Sequence, residues 1–292
     1  MATTTQTYVK SKVMGRPAFS ISKLAGQVIF YGAVGFFVIN LLLMVSTVVI
    51  DSFAQSWFKT LLPPAFTTHW YPDLADEHNM TQLLGNTFFV AISTTLIALA
   101  IAFPAAYVLA RHQFRLKGLL YGLFLLPMLI PPLVYGIPLA TMLIRVGLGG
   151  SLVGIVLVNL IPITPFVIFI LTPFIEQVDP SLESASRMLG AGWFRTFRRI
   201  VLPLIIPGLL AAGVLALVRT FAAFELTYLV ATTGSSQTLA VALYGDASGA
   251  GIRAHQLVNA MAVIYMLSTM SLVVVALIFV KPTQFVVSLK NR

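Results

Sequence analysis

A bundle of about six membrane-spanning helices is the fold this chain predicts, and three observations predict it. Hydrophobic residues make up 58% of the 292 positions and charged residues only 9%, with a mean hydropathy of +0.94. That leaves too few polar side chains to cover a water-soluble globule of this size. Apolar runs of the roughly 20 residues needed to cross a hydrocarbon core recur along the chain. Within them Leu, Ile, Val, Ala and Phe fall on every helical face instead of alternating, which argues for helices over barrel strands. The class is therefore all-α and polytopic. With 0 cysteines, disulfides, thiolate metal sites and cysteine nucleophiles are excluded.

The elements follow in order. Residues 1–24 form a basic tail expected to be cytoplasmic, ahead of a first apolar run near 25–50. Ser52-Phe53-Ala54 resembles a small-x-small cleavage site. The run from Leu24 to Ile50 nevertheless exceeds the roughly 7–15 residues of a signal-peptide core, so a retained helix is expected. Residues 51–82 are polar, with Pro63, Pro64, Trp70, Pro72, Asp73, Asp76 and Glu77, and read as an external loop. Its Trp57, Trp70 and Tyr71 suit an external partner or an interfacial aromatic belt equally well. His69 and His78 lack a metal-ligand spacing, so no metal site is expected. Further spans are expected near 83–110, 118–144, 152–175, 204–230 and 256–280, and 282–292 as a second tail. Pro131, Pro132 and Pro138 in the third span, and Pro162 and Pro165 in the fourth, free backbone carbonyls and kink helices, either to line a path or simply to shape packing.

Orientation follows from the basic residues. Lys10, Lys12, Arg16 and Lys23, then Arg111, Arg115 and Lys117, then Arg187, Arg195, Arg198 and Arg199, then Lys281, Lys290 and Arg292 all fall on one side. Lys59, Arg145 and Arg253 fall on the other, and Arg219 lies within a span, completing the 18. The positive-inside rule then puts both termini in the cytoplasm, as an even number of spans requires. Topology also accounts for the net charge of +9, and no basic stripe interleaved with aromatics points to nucleic acid.

The loop 179–203 carries the most specific signal. Asp179 suits an N-cap with Pro180 at the first helical position, and Glu183 near the start complements the helix dipole. The helix should run to Leu189 and stop at Gly190, a natural left-handed terminator. A second helix from about Trp193 should then carry Arg195, Arg198 and Arg199 into the fifth span through Pro203. Leu182, Ala185, Met188 and Leu189 recur at spacings of three and four, giving an apolar face that either rests on the bundle and lipid or enters a groove on a soluble partner.

This segment resembles the cytoplasmic EAA loop of permease subunits of bacterial binding-protein-dependent ABC importers. That pattern is Glu-Ala-Ala, three residues, Gly, nine residues, Ile-x-Leu-Pro. With Gly190 in the glycine position, Ile200, Leu202 and Pro203 are in register. Ser184 stands in place of the glutamate, Ala185 matches, Ser186 replaces the second alanine, and Glu183 lies one residue earlier. Asn86-Thr87, Pro104-Ala105-Ala106-Tyr107, Leu109-Ala110-Arg111, Leu126-Pro127 and Ile130-Pro131-Pro132 extend the resemblance to maltose-type and spermidine/putrescine-type permeases over roughly residues 80–280.

The resemblance implies a type I importer permease domain over 25–281 in the bacterial inner membrane, with a cytoplasmic coupling helix. It also implies pairing with a second permease, docking of two ATPase subunits, and delivery of a small polar solute by an extracytoplasmic binding protein. It implies no catalytic residue. ATP and magnesium are expected only in the partner ATPase, since no segment reads G-x-x-x-x-G-K-[ST]. Glu183, Ser184, Ala185, Ser186, Met188, Leu189, Gly190 and Ala191 are the expected ATPase-coupling residues. Polyamine-type or sugar-type cargo is the expectation, although Ala222 and Ala223 stand where spermidine/putrescine-type relatives carry an acidic pair.

For the translocation path, ionisable residues inside the membrane are the natural candidates. Arg219 and Glu225 lie in the expected fifth span, beside Phe221, Phe224 and Tyr228. On one helix, six residues apart, Arg219 and Glu225 would point about 120° from each other. An ion-coupled secondary transporter is the alternative, with Glu225 as its deep carboxylate. A membrane-embedded hydrolase has less support, as no H-E-x-x-H occurs. Gly190→Val is expected to cost about 1–2 kcal/mol at a left-handed turn and to weaken ATPase co-purification while membrane insertion persists. Wild-type assembly and transport in that variant would count against the assignment.

Overall fold

The computed structural model describes residues 21–58, 60–231, 234–249 and 254–279. The tails with Lys10, Lys12, Arg16, Lys281, Lys290 and Arg292, together with Lys59 and Arg253, lie outside the described residues. Among the described residues, those up to Val48 form one compact unit and those from Val49 onward another. The first is the greater part of α1, Ile21–Ser52, an uninterrupted apolar helix.

Among the described residues every regular element of the second unit is helical, and an isolated antiparallel bridge joins Ala54 to Phe66. The segment read as an external loop holds a short helix, α2, Trp70–Glu77. Trp70 donates its indole N–H to the Ala54 carbonyl (2.7 Å), which closes the segment on itself. α3, Met80–Arg111, begins at Asn79, whose side chain accepts from the Gln82 N–H.

The third span is the first departure from expectation. It is two helices, α4, Lys117–Leu129, and α5, Pro132–Arg145, meeting at an 89° bend. Pro131 and Pro132 explain the bend: Pro132 has no N–H to continue the ladder and biases Pro131 toward extended backbone, with ψ 132°. α6, Leu152–Glu176, is capped by Ser151 and stays one helix through Pro162, Pro165 and Pro173.

α7, Pro180–Met188, is followed by α8, Trp193–Thr196, a π turn at Phe197–Val201, and α9, Leu202–Phe221. The Leu202 N–H reaches back to the Phe197 carbonyl, five residues away, immediately before Pro203, whose ring clashes with a regular ladder. The fifth span therefore begins at Trp193 and ends at Phe221, not at 230. Residues 225–230 form a separate short helix, α10, Glu225–Val230, after a break at Ala222–Phe224. α11, Leu239–Ser248, and α12, His255–Phe279, complete the order. Counting the bent α4–α5 pair as one span, six helical stretches among the described residues are long and apolar enough to cross a membrane.

The main core is built by α3, α6 and α9. Ala98, Ala102 and Ala106 of α3 meet Val167, Leu171 and Ile175 of α6 and Ile205, Ala212 and Ala216 of α9. Small residues on facing helices let backbones approach where lipid supplies no hydrophobic drive between helices. Gly208 of α9 is such a site, since a Cβ there would stand 2.5 Å from Cγ of Phe174. Gly208→Val is expected to lower detergent-solubilised stability by about 1–3 kcal/mol through overpacking. Gly85→Ala, where nothing lies within 4 Å of an added Cβ, should leave the thermal midpoint almost unchanged.

Candidate functional site

The helix, turn, helix at 179–203 forms as its residue types require. The Asp179 carboxylate accepts from the Ser181 N–H (2.8 Å), a bond that holds its carboxyl below the usual carboxylate range. At the other end Gly190 has φ +80°, its N–H bonds the Arg187 carbonyl, and the Ala191 N–H bonds the Ser186 carbonyl. These two bonds are the Schellman pattern, which satisfies carbonyls that a helix end leaves open. Ser186 and Thr196, both buried, join their hydroxyls at 2.9 Å and lock α7 against α8.

The eight expected coupling residues divide by direction. Glu183 and Ser186 are buried, Ala191 is half-buried in the turn, and Ser184, Ala185, Met188, Leu189 and Gly190 are exposed. Met188 and Leu189 are each 89% exposed, with Trp193 at 60% and Phe194 at 65% beside them. The apolar face of α7 thus points away from the described bundle.

Glu183 turns the other way. Its Oε2 accepts from the Tyr107 hydroxyl (2.7 Å), and its Oε1 lies 2.9 Å from Arg111 Nε, both side chains of the ion pair being under one-tenth exposed. The contact with Nε is a charge pairing whose angle departs from that of an aligned hydrogen bond. Arg111 also donates through Nη1 to the Val178 carbonyl (2.7 Å), one residue before the cap of α7. Arg187, exposed, adds a looser contact at 3.8 Å. From the sequence, Arg111 reads as a topological charge and as the end of the Leu109-Ala110-Arg111 motif, and Tyr107 as part of the Pro104-Ala105-Ala106-Tyr107 motif. Neither shows from spacing alone that it reaches 76 or so residues ahead in the chain.

A second site lies within the spans. A cavity of about 270 Å³ is lined by Pro132, Asn159, Arg219, Ala222, Phe224 and Glu225, among others. Arg219 and Glu225 therefore do share a site, contrary to the divergence expected of one helix. The break after Phe221 ends the helical phase between them and makes Glu225 the first residue of α10. Among the described residues no ion pair joins them. The Arg219 guanidinium instead sits 4.6 Å from the centre of the Phe166 ring, a cation–π contact. Asn159 donates to the Ile155 carbonyl and to Thr227 Oγ1, which fixes its amide beside the cavity.

Of the aromatic candidates, Phe224 lines the cavity and joins Tyr228 and Tyr244 in a mutual cluster, with ring centres 4.6–5.4 Å apart. Tyr244 lay outside the expected path, as nothing in the sequence ties α11 to α10. Phe221 is not among the residues that line this cavity. It is 1% exposed, stacked on Tyr265 and edge-on to Phe88. Its helical phase carries it into the core because the helix continues unbroken to that residue and no further.

Relatives were found both in sequence and in structure. The molybdenum transport system permease protein ModB of Haemophilus influenzae is 34% identical over 170 residues, spanning 53% of this chain and 74% of that protein. The trehalose transport system permease protein SugB of Mycobacterium tuberculosis is 29% identical over 183 residues, 63% of this chain and 67% of that protein. Among solved structures, a bacterial ABC transporter that imports the acidic polysaccharide alginate superposes with a TM-score of 0.73 at 17% identity, covering 89% of this chain and 98% of that one. The MetNI methionine ABC transporter in an inward-facing conformation gives 0.54 at 18% identity, covering 68% and 92%. Both share the fold. The family of binding-protein-dependent transport system inner membrane components matches residues 102–282, more than half of the chain, and this protein belongs to that family as a permease subunit of an ABC importer.

Proposed function

We propose that this chain is one half of a permease pair in a bacterial inner membrane, with both termini and α7 on the cytoplasmic side. The α7–Gly190–α8 unit docks into a partner ATPase, which supplies ATP, magnesium and hydrolysis, while this chain holds no cofactor. A binding protein delivers a small polar solute to the opposite face, and lipid surrounds the rest. The observation that carries this reading is the pair Met188 and Leu189, each 89% exposed at the tip of a hydrogen-bonded turn. Large apolar side chains held outward on a rigid, charged-flanked motif suit a groove on a soluble partner.

The solute path would run past Arg219 and Glu225 at the interface with the second permease. One cation and one carboxylate at the same cavity leave no net local charge, which disfavours a polyamine. The aromatic cluster of half-buried Phe224 with exposed Tyr228 and Tyr244 offers ring faces to sugar C–H groups, so sugar-type cargo is the better supported of the two expectations. A trehalose system permease among the relatives supports the same reading. ATP-driven closure of the ATPases would favour one arrangement of the bundle over another, because nucleotide binds the two states with different affinity.

The double variant Met188→Asp with Leu189→Asp is expected to reach the membrane at wild-type level and to lose the ATPase on purification. Retention of the ATPase at the wild-type ratio would overturn the docking surface.

A further inference from the structure

Resting on that docking reading, we propose that Glu183 is a positioning residue which locks α7 to the end of α3, so that the two helices move as one body. It is not a contact for the ATPase.

The carboxylate is buried against α3 and turned away from the exposed face of α7. One oxygen is held by Tyr107 and the other by Arg111, and the ion pair is more than nine-tenths buried. Arg111 holds α7 through Glu183 and the turn that leads into it through the Val178 carbonyl, just ahead of the Asp179 cap. Tyr107 and Arg111 lie four residues apart, and thus on one face of α3. A displacement of α7 by its partner therefore pulls on α3 through three polar contacts, two at Glu183 and one at Val178.

α3 is built to pass such a pull along. Its 32 residues form one helix, about 48 Å long at 1.5 Å per residue. Its opposite end is tied by polar contacts as well. Asn86 donates to the carbonyls of Ser235 and Gln237 (both 2.9 Å), Gln82 donates to Ser235, and Thr87 Oγ1 accepts from the Leu239 N–H. The residues bonded there precede or open α11, which carries Tyr244 of the aromatic cluster. The same rod is thus anchored to the coupling helix at one end and to the segment leading into α11 at the other. Glu183 is the residue whose loss uncouples the first anchor.

The absence of cysteine lets labels be placed without removing native residues. Ser181→Cys on α7 and Val108→Cys on α3 are both exposed positions. Spin-labelled there and purified with its ATPase, the chain should show one narrow label-to-label distance that does not shift on addition of magnesium and ATP. In Glu183→Gln that distance should broaden and respond to ATP while the ATPase still co-purifies at the wild-type ratio. The exchange Glu183→Arg with Arg111→Glu should restore the narrow distance.

A wild-type distance that changes with ATP would overturn the latch. So would loss of the ATPase from Glu183→Gln that the exchange fails to restore, since that is how a residue touching the ATPase behaves. An absent ATPase in the wild-type preparation overturns both readings, whereas a changed distance inside an intact complex overturns the latch alone.

Discussion

The buried pairing of Arg111 with Glu183 is the contact on which the rest of the arrangement depends. A guanidinium and a carboxylate with side chains 9% and 8% exposed are costly to desolvate, and removing one partner of such a pair typically costs about 3–5 kcal/mol. Replacing both by apolar side chains of similar volume is often neutral or stabilising, so stability by itself is weak grounds for keeping the charges. What the pair does provide is a fixed orientation for α7. With Glu183 drawn inward, helical geometry turns Met188 and Leu189 outward, and the Ser186–Thr196 bond and the Gly190 turn hold α8 at the same angle.

The same economy of polar contacts appears throughout the bundle. Its apolar faces are nearly interchangeable with lipid, so register between helices comes from small residues and from isolated hydrogen bonds. The alanines of α3 set its distance from α6 and α9, Asn86 and Thr87 set where α11 and the segment before it lie against α3, and Asn159 sets where α10 lies against α6. Arg219 and Glu225 are the exception, ionisable groups without an ion-pair partner among the described residues, lining a cavity instead of a helix contact. In a membrane that is where function concentrates.

Much of this was legible in the residue order, and what was not has a physical reason. Span length, basic flanks and the Asp179-Pro180 and Gly190 signals mark local preferences, and the structure forms those elements close to the expected bounds. The elbow between α4 and α5 had its Pro131-Pro132 signal in view, although its angle depends on tertiary packing. The break after Phe221 had no signal at all. Phe221-Ala222-Ala223-Phe224 contains neither glycine nor proline, and only the packing of Phe221 between Phe88 and Tyr265 marks where the helix ends. That single unseen break changes the placement of Glu225 relative to Arg219. The partners of Glu183 were hidden for a different reason. Contacts across 72 residues of sequence, from Arg111 to Glu183, cannot be read from periodicity, which reports only one helix at a time.

If α7 is a coupling helix, its outward face is occupied by an energy-coupling subunit in the cell. Purification of the tagged chain from its own cells in gentle detergent, with identification of every co-purifying protein, measures this directly. A complex containing an ATPase with a phosphate-binding loop and a second permease is expected. Recovery of this chain alone, transporting solute in vesicles without ATP, would contradict that reading.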